Sequence, residues 1–217
     1  MCHLFEKISE ALQKGNAKAL VVLVQEAIDS GLSAQDILDN GLLKGMGELG
    51  VKFKNGEVYA PEVLIAARAL SKGTEVLKAK LVEEGVKPLG RVVIATVKGD
   101  MHDIGKNLVK MMLEGAGFEV IDLGVNIPEN EIVAAVIEHK PQILCLSTLL
   151  TTTQKEQGVI IEALKSAGVR DDVKVMVGGA PITQSFCDQI GADAYAPDAA
   201  SAAEVAKSFI ALSSESV

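Results

Sequence analysis

Glu84-Gly85-Val86-Lys87-Pro88-Leu89-Gly90, running into Arg91-Val92-Val93-Ile94-Ala95-Thr96-Val97, is where the chain changes its grammar. The first seven residues carry two glycines and a proline among charged neighbours, the composition of a linker. The next seven are a β-branched run, too short for a helix and closed by Lys98-Gly99, which reads as a buried strand. Residues on the amino side of this point read as helix. Those on the carboxyl side read as strand and helix in alternation.

On the carboxyl side, apolar periodicity switches repeatedly between two and 3.6. Strands are expected over 91–97, 118–123, 142–147, 173–177 and near 192–196. Helices are expected over 104–117, from Pro128-Glu129 onward, and over 154–168, 182–190 and 200–212. Five strands alternating with five helices imply a doubly wound parallel sheet. The flavodoxin-like order 2-1-3-4-5 is expected, placing a ligand beyond the carboxyl ends of strands 1 and 3. On the amino side, Leu4, Ile8 and Leu12 step at helical spacing, and Asn16 is placed to cap a second helix ending at Gly31. Ser33 with Asp36 has capping-box spacing for a third helix reaching toward Phe53. Pro61 and Glu62 open a fourth, reaching about Val82. The expected architecture is α plus α/β: a four-helix bundle over 1–88, then a flavodoxin-like five-stranded parallel sheet over 89–217.

Composition narrows the function. The 217 residues carry 21 basic and 29 acidic side chains, a formal net charge of −8. Residues 1–88 have a net charge of −1 and 89–217 of −7, so the two parts differ in more than fold. An acidic chain with 3% aromatics and no Trp is no phosphate-neutralising or base-stacking binder of nucleic acid. Three separated cysteines form neither a disulfide framework nor a structural zinc site. The amino terminus meets Glu6 and Lys7 before any long apolar run, so no signal peptide is expected. The apolar runs 20–24 and 143–150 fall far short of a membrane span. A cytoplasmic protein is expected.

Three loops should meet at one end of the sheet. Lys98-Gly99-Asp100-Met101-His102-Asp103-Ile104-Gly105 follows strand 1, Ser147-Thr148-Leu149-Leu150-Thr151-Thr152-Thr153 follows strand 3, and Gly178-Gly179-Ala180 follows strand 4. Asp100 stands two residues before His102. An acid there can hold the proton on one ring nitrogen and leave the other free for a metal. One histidine is a single ligand, so a bare protein-held metal does not fit, whereas a metal already held by a macrocycle needs only an axial ligand. Taken alone, such a loop is more often an incidental polar turn, the strand-3 hydroxyls a helix-capping region and the glycine pair a plain turn.

The joint spacing is more specific. Asp100-x-His102-x-x-Gly105, 41 residues, Ser147-x-Leu149, 28 residues and Gly178-Gly179 resemble the signature of cobalamin-binding flavodoxin-like domains. Residues 45–56 with Val58-Tyr59-Ala60-Pro61-Glu62-Val63-Leu64 are similar to the cap bundle that precedes that domain in methionine synthase and in small corrinoid proteins. The resemblance implies a corrinoid cofactor, cycling among methylcobalamin, cob(I)alamin and cob(II)alamin. It implies His102 as lower cobalt ligand, Asp100 as its proton-sharing partner and Thr153 as the hydroxyl continuing that relay. Asp103, Ile104, Gly105, Ser147, Leu149, Thr151, Gly178 and Gly179 would contact the cofactor, the two glycines because its nucleotide tail passes close to the backbone, and Tyr59 would lie over the corrin. No segment remains for a substrate barrel, so the resemblance implies a methyl carrier. Its partners would be a substrate-specific methyltransferase (methanol, methylamine, quaternary amine or aryl ether), a second methyltransferase using tetrahydrofolate or coenzyme M, and a reductive activase. A radical-mutase subunit usually lacks the amino-terminal cap, and a cobalamin-based sensor would need a DNA-binding module that residues 1–88 do not supply. A phosphoacceptor receiver is excluded because strand 3 ends in Ser147 with no aspartate.

Overall fold

The protein is described by a computed structural model covering residues 2–214. Residues 1 and 215–217, expected at the outer ends of the two domains, lie outside the described residues. The chain forms two compact units: one reaches to Pro88 and includes Gly115–Gly117, and the other holds the remainder.

The helical unit contains α1 (Cys2–Gln13), α2 (Ala17–Asp29), α3 and α4 (Ala60–Glu83). Asn16 caps α2, its side-chain oxygen accepting from the Ala19 N–H at 3.1 Å. α3 departs from the uniform α-helix expected of it. One α-turn over Ala34–Asp36 passes into a π segment over Ile37–Leu43 before α geometry resumes over Lys44–Lys54. Asp39-Asn40-Gly41, inside that segment, are weak helix formers that resist widening little. The capping box is also only half formed. Ser33 Oγ accepts from the Asp36 N–H, but the Asp36 carboxylate takes the Ser33 hydroxyl instead of its backbone N–H. At α4 the Glu62 carboxylate accepts the Tyr59 N–H at 2.6 Å, while Pro61 occupies the first turn, where no N–H is needed. The core is aliphatic: Ile8, Leu12, Leu20, Val24, Leu42, Leu49, Leu70 and Leu77 are buried.

The second unit runs β1 (Arg91–Thr96), α5 (Ile104–Gly115), β2 (Glu119–Asp122), α6 (Glu129–His139), β3 (Ile143–Ser147), α7 (Lys155–Ser166), β4 (Lys174–Gly178), α8 (Gln184–Ile190), β5 (Ala194–Tyr195) and α9 (Ala199–Ser214). The strands pair in parallel in the order β2-β1-β3-β4-β5, the doubly wound arrangement expected from the alternation. Boundaries shift by at most two residues. α8 starts late because Thr183 caps it, accepting from the Phe186 N–H. Successive residues Val92, Val93, Ile94 and Ala95 are all buried, so β1 is covered on both faces, as a central parallel strand must be. Val93, Leu144, Leu146 and Val175 pack with Ile132 and Val136 of α6 and Ile160, Ile161 and Leu164 of α7. Register aligns Thr96, Ser147 and Gly178 side by side at the carboxyl edge. No helix among the described residues is long and apolar enough to cross a membrane.

Candidate functional site

Beyond Thr96 the chain turns tightly, with the Asp100 N–H bonded to the Val97 carbonyl. Asn126, in the β2 loop, braces this turn from outside. Its side-chain oxygen accepts the Gly99 N–H and its own N–H donates to the Asp100 carbonyl. The effect is to drive the Asp100 side chain inward, where it is fully buried.

A buried carboxylate needs donors on both oxygens. Oδ1 accepts the His102 N–H at 3.0 Å and meets His102 Nδ1 at 2.6 Å. Oδ2 accepts the Leu149 N–H at 2.6 Å, the Leu150 N–H at 3.2 Å and the Thr148 hydroxyl at 3.0 Å. Burial by itself would raise the Asp100 pKa. The bonds from the His102 and Leu149 N–H groups, the His102 ring and the Thr148 hydroxyl outweigh it and hold the carboxyl far below the usual carboxylate range.

This fixes the histidine tautomer. An acceptor held ionised at Nδ1 requires Nδ1–H, leaving the lone pair on Nε2. The ring itself is half exposed. Its backbone is held too, the Thr96 hydroxyl donating to the His102 carbonyl at 3.0 Å. Asp100, the expected proton-sharing partner of His102, thus meets the ring nitrogen through an oxygen that also accepts the His102 N–H.

Thr153 Oγ1 lies 3.3 Å from Asp100 Oδ2, 3.1 Å from the Leu150 carbonyl and 2.6 Å from Thr148 Oγ1, so the hydroxyl expected in the relay is within reach of Asp100 both directly and through Thr148. Thr148 was absent from the expected site residues. It is the first residue past the paired end of β3, which is the signal that would have found it.

The other expected residues divide. Ile104, 78% exposed, and Leu149, 46% exposed, join Met101 and Leu150 as exposed apolar side chains on the two loops that Asp100 ties together. Gly105 opens α5 with nothing within 4 Å of where a Cβ would stand, so no protein contact demands a glycine there. Asp103 is exposed and turned to α5, accepting from Asn107 through both its carbonyl and its carboxylate. Thr151 is exposed, and Ser147 is half-buried at the end of β3. At Gly178 a Cβ would stand 3.2 Å from the Ala196 carbonyl oxygen, a tight approach to backbone. Gly179 has φ +125°, and a Cβ would come within 1.7 Å of the Thr148 carbonyl oxygen. The fold itself therefore demands that glycine, and the expected reason, passage of a nucleotide, is not needed to explain it. Tyr59 belongs to the helical unit, where it is 68% exposed.

Among the described residues no cluster of three or more His, Cys, Asp or Glu side chains could hold a metal ion. A metal at His102 would therefore arrive with most of its ligands already in place. One half-exposed imidazole, exposed apolar side chains on the same loops and open space at Gly105 fit a metal held by a macrocycle.

Comparison with known proteins agrees with this chemistry. A family model described as B12 binding domain matches residues 90–206, more than half of the chain, and a second with the same description matches residues 4–78. The trimethylamine corrinoid protein of Methanosarcina barkeri is 43% identical over 198 residues, covering 90% of this chain and 91% of that one. The dimethylamine corrinoid protein 1 of Methanosarcina mazei is 41% identical over 208 residues, covering 95% and 96%. Among solved structures, the methanol:cobalamin methyltransferase complex MtaBC from Methanosarcina barkeri matches with a TM-score of 0.87 and 33% identity, over 96% of this chain and 80% of that one. The chain belongs to the B12-binding corrinoid proteins.

Proposed function

We propose that this chain carries a methyl group on the cobalt of a bound corrinoid, between a methyltransferase specific for a methylated amine and a second methyltransferase using tetrahydrofolate or coenzyme M. The observation that carries the reading is the His102 imidazole: half exposed, on a loop with exposed apolar neighbours, with Nδ1 tied to a buried carboxylate and Nε2 free. When bound, the corrinoid supplies a cobalt centre able to take up and give away a methyl group. The chain's own residues do the rest. His102 Nε2 would hold the cofactor's metal, Asp100 keeps Nδ1–H in place, and Thr148 with Thr96 keeps the loop from turning. Thr153, Ile104, Gly105, Ser147, Leu149, Thr151, Gly178 and Gly179 are proposed to line the cofactor site. Asp103 and Tyr59 are proposed on the resemblance alone.

The amine donor is supported by identity to the trimethylamine and dimethylamine corrinoid proteins. Donor recognition would then belong to the partner methyltransferase, and a reductive activase would restore the carrier after oxidation. The proposed division is a helical domain over 1–88 and a cofactor domain over 89–217. A cytoplasmic location fits the two free, buried thiols, Cys145 and Cys187, the pKa of the first pushed up to about 12 by burial, which leaves it unreactive.

The test is electron paramagnetic resonance of the full chain loaded with cob(II)inamide, a corrinoid lacking its own lower base. Nitrogen superhyperfine coupling is expected, and it should vanish in His102→Ala. A spectrum without that coupling would overturn His102 as the lower ligand. For the carrier role, the reduced protein should acquire a methyl group from di- or trimethylamine only when the cognate methyltransferase is added.

A further inference from the structure

Among the described residues, two that are not glycine adopt a left-handed backbone: Lys140, with φ 46°, and Asn126, with φ 56°. Lys140 closes the carboxyl end of α6, where that conformation is ordinary. Asn126 ends no helix, and it is exposed, so its conformation does not serve packing. The unusual backbone needs another reason.

Its neighbours supply one. The Thr96 N–H donates to the Gly124 carbonyl at 3.0 Å, and the Thr96 carbonyl accepts the Ile127 N–H at 3.1 Å. Val125 and Asn126 therefore form a short bulge beside the carboxyl end of β1. The root of this bulge is anchored, because Asp122 Oδ1 accepts both the Gly124 N–H at 2.9 Å and the buried Lys106 ammonium at 2.6 Å. Its tip grips the loop that carries His102. Asn126 Oδ1 accepts the Gly99 N–H at 2.7 Å, and the Asn126 N–H donates to the Asp100 carbonyl at 2.9 Å. The Gly99 group is a donor, so the carboxamide must set its oxygen toward it. Backbone and side chain of one left-handed residue thus hold two successive residues of the neighbouring loop. We propose that Asn126 is a positioning residue for His102: by pinning Gly99 and Asp100 from outside, it holds the imidazole where Nε2 can reach a metal. Metal–nitrogen distances tolerate only about 0.2 Å of variation, so a slack loop weakens ligation before it unfolds. This inference rests on the corrinoid reading of the site. It adds to that reading a residue of the β2 loop that acts on His102 only through Gly99 and Asp100.

The test compares wild type, Asn126→Gly and Asn126→Asp as full-length proteins loaded with cob(II)inamide. Gly accepts the left-handed backbone and keeps the N–H but loses the acceptor, whereas Asp keeps an acceptor oxygen in the same place. The ratio of nitrogen-coupled to uncoupled cobalt in the electron paramagnetic resonance spectrum should fall about tenfold in Asn126→Gly, the size expected when the support of a metal ligand is removed. In Asn126→Asp it should stay within about twofold of wild type, because the Gly99 N–H keeps its acceptor. The apo melting temperature of Asn126→Gly should stay within about 3 °C of wild type, the lost bond being exposed. An unchanged ratio in Asn126→Gly, or an equal fall in both variants, would overturn the proposal. One measurement needs no variant. The Gly99 amide of the apo wild type should exchange with solvent at least about tenfold slower than an unstructured amide, and exchange at the unstructured rate would overturn the proposal too. Wild type without any nitrogen coupling would instead overturn His102 as the lower ligand, the reading on which this inference stands.

Discussion

The two units bury different kinds of residue. Among the described residues of the helical unit, Ser9 is the buried polar side chain, and the rest of the core is aliphatic. In the sheet unit Thr96, Asp100, Lys106, Thr148, Thr153 and Gln157 are all buried, and all lie at or just beyond the carboxyl edge of the sheet. Lys106 belongs to the same edge, its Nζ 2.6 Å from Asp122 at the end of β2. Asp122 is held below its ordinary pKa, its burial outweighed by Lys106 and the Gly124 N–H. Burying polar groups is expensive unless they satisfy one another. One core is thus kept aliphatic, while six polar side chains gather at one end of the other. If that contrast is real, substitutions in the two units should differ in a definite order of effect.

The largest effect belongs to Asp100. In Asp100→Asn one oxygen becomes an amide facing N–H and O–H donors, so several bonds are lost at once and donors are stranded. A loss of about 3 kcal/mol or more is expected, lowering the melting temperature of the sheet unit by about 10 °C. The acid limb of stability should change as well. Because the native pKa is depressed, the Asp100 contribution is complete above the unfolded value of about 3.9 and is lost as pH falls below it. Urea titrations between about pH 2 and 5 should show wild type weakening more steeply than the variant. Parallel curves would mean that Asp100 is not the charged centre of this edge.

Next come two glycines of one signature. Gly179→Ala forces a Cβ against the Thr148 carbonyl at a φ that alanine resists, and should cost about 3 kcal/mol in the apo protein. Gly105→Ala meets open space at the start of a helix and should leave the apo protein unchanged or up to about 1 kcal/mol more stable. Its corrinoid affinity should nonetheless fall. Circular-dichroism melts of the two apo variants, with cobalamin titrations of each, test this opposition. A Gly105→Ala protein that binds normally would remove the cofactor as the reason for that glycine.

Much of this was legible in the residues. Strand order followed from alternation, and the switch-point rule selected the three loops before any distance was known. Asp100 and His102 are neighbours in sequence, so their pairing is a local matter. What stayed hidden depends on how elements rotate against one another. Thr148 joins Thr153 at Asp100 because of where β3 ends, and Gln157 reaches the strand ends only through the facing of α7. The π segment in α3 and the late start of α8 are likewise packing outcomes that periodicity does not encode. Gly179 carries a further lesson: a motif glycine is equally visible in sequence whether a ligand or a carbonyl of its own chain requires it.

The smallest effect is expected at Ser9, the helical unit's own buried polar group. Its hydroxyl donates weakly to Glu48 at 3.4 Å and accepts from Gln13 at 3.1 Å. Those partners do not depend on it, for Gln13 donates to Glu48 at 2.6 Å and accepts from Lys52 at 2.7 Å. Removing the hydroxyl in Ser9→Ala therefore strands nothing, and the change should stay under about 0.5 kcal/mol. Thr148→Val is the matched control in the other unit. It keeps the shape, takes one donor from Asp100 and leaves Thr153 without its nearest acceptor, for about 1–2 kcal/mol and a measurable loss of corrinoid affinity. Melts and cobalamin titrations of both variants decide the matter. If Ser9→Ala costs as much as Thr148→Val, or weakens cobalamin binding, the polar edge of the sheet is not set apart from the helical core in the way its burial indicates.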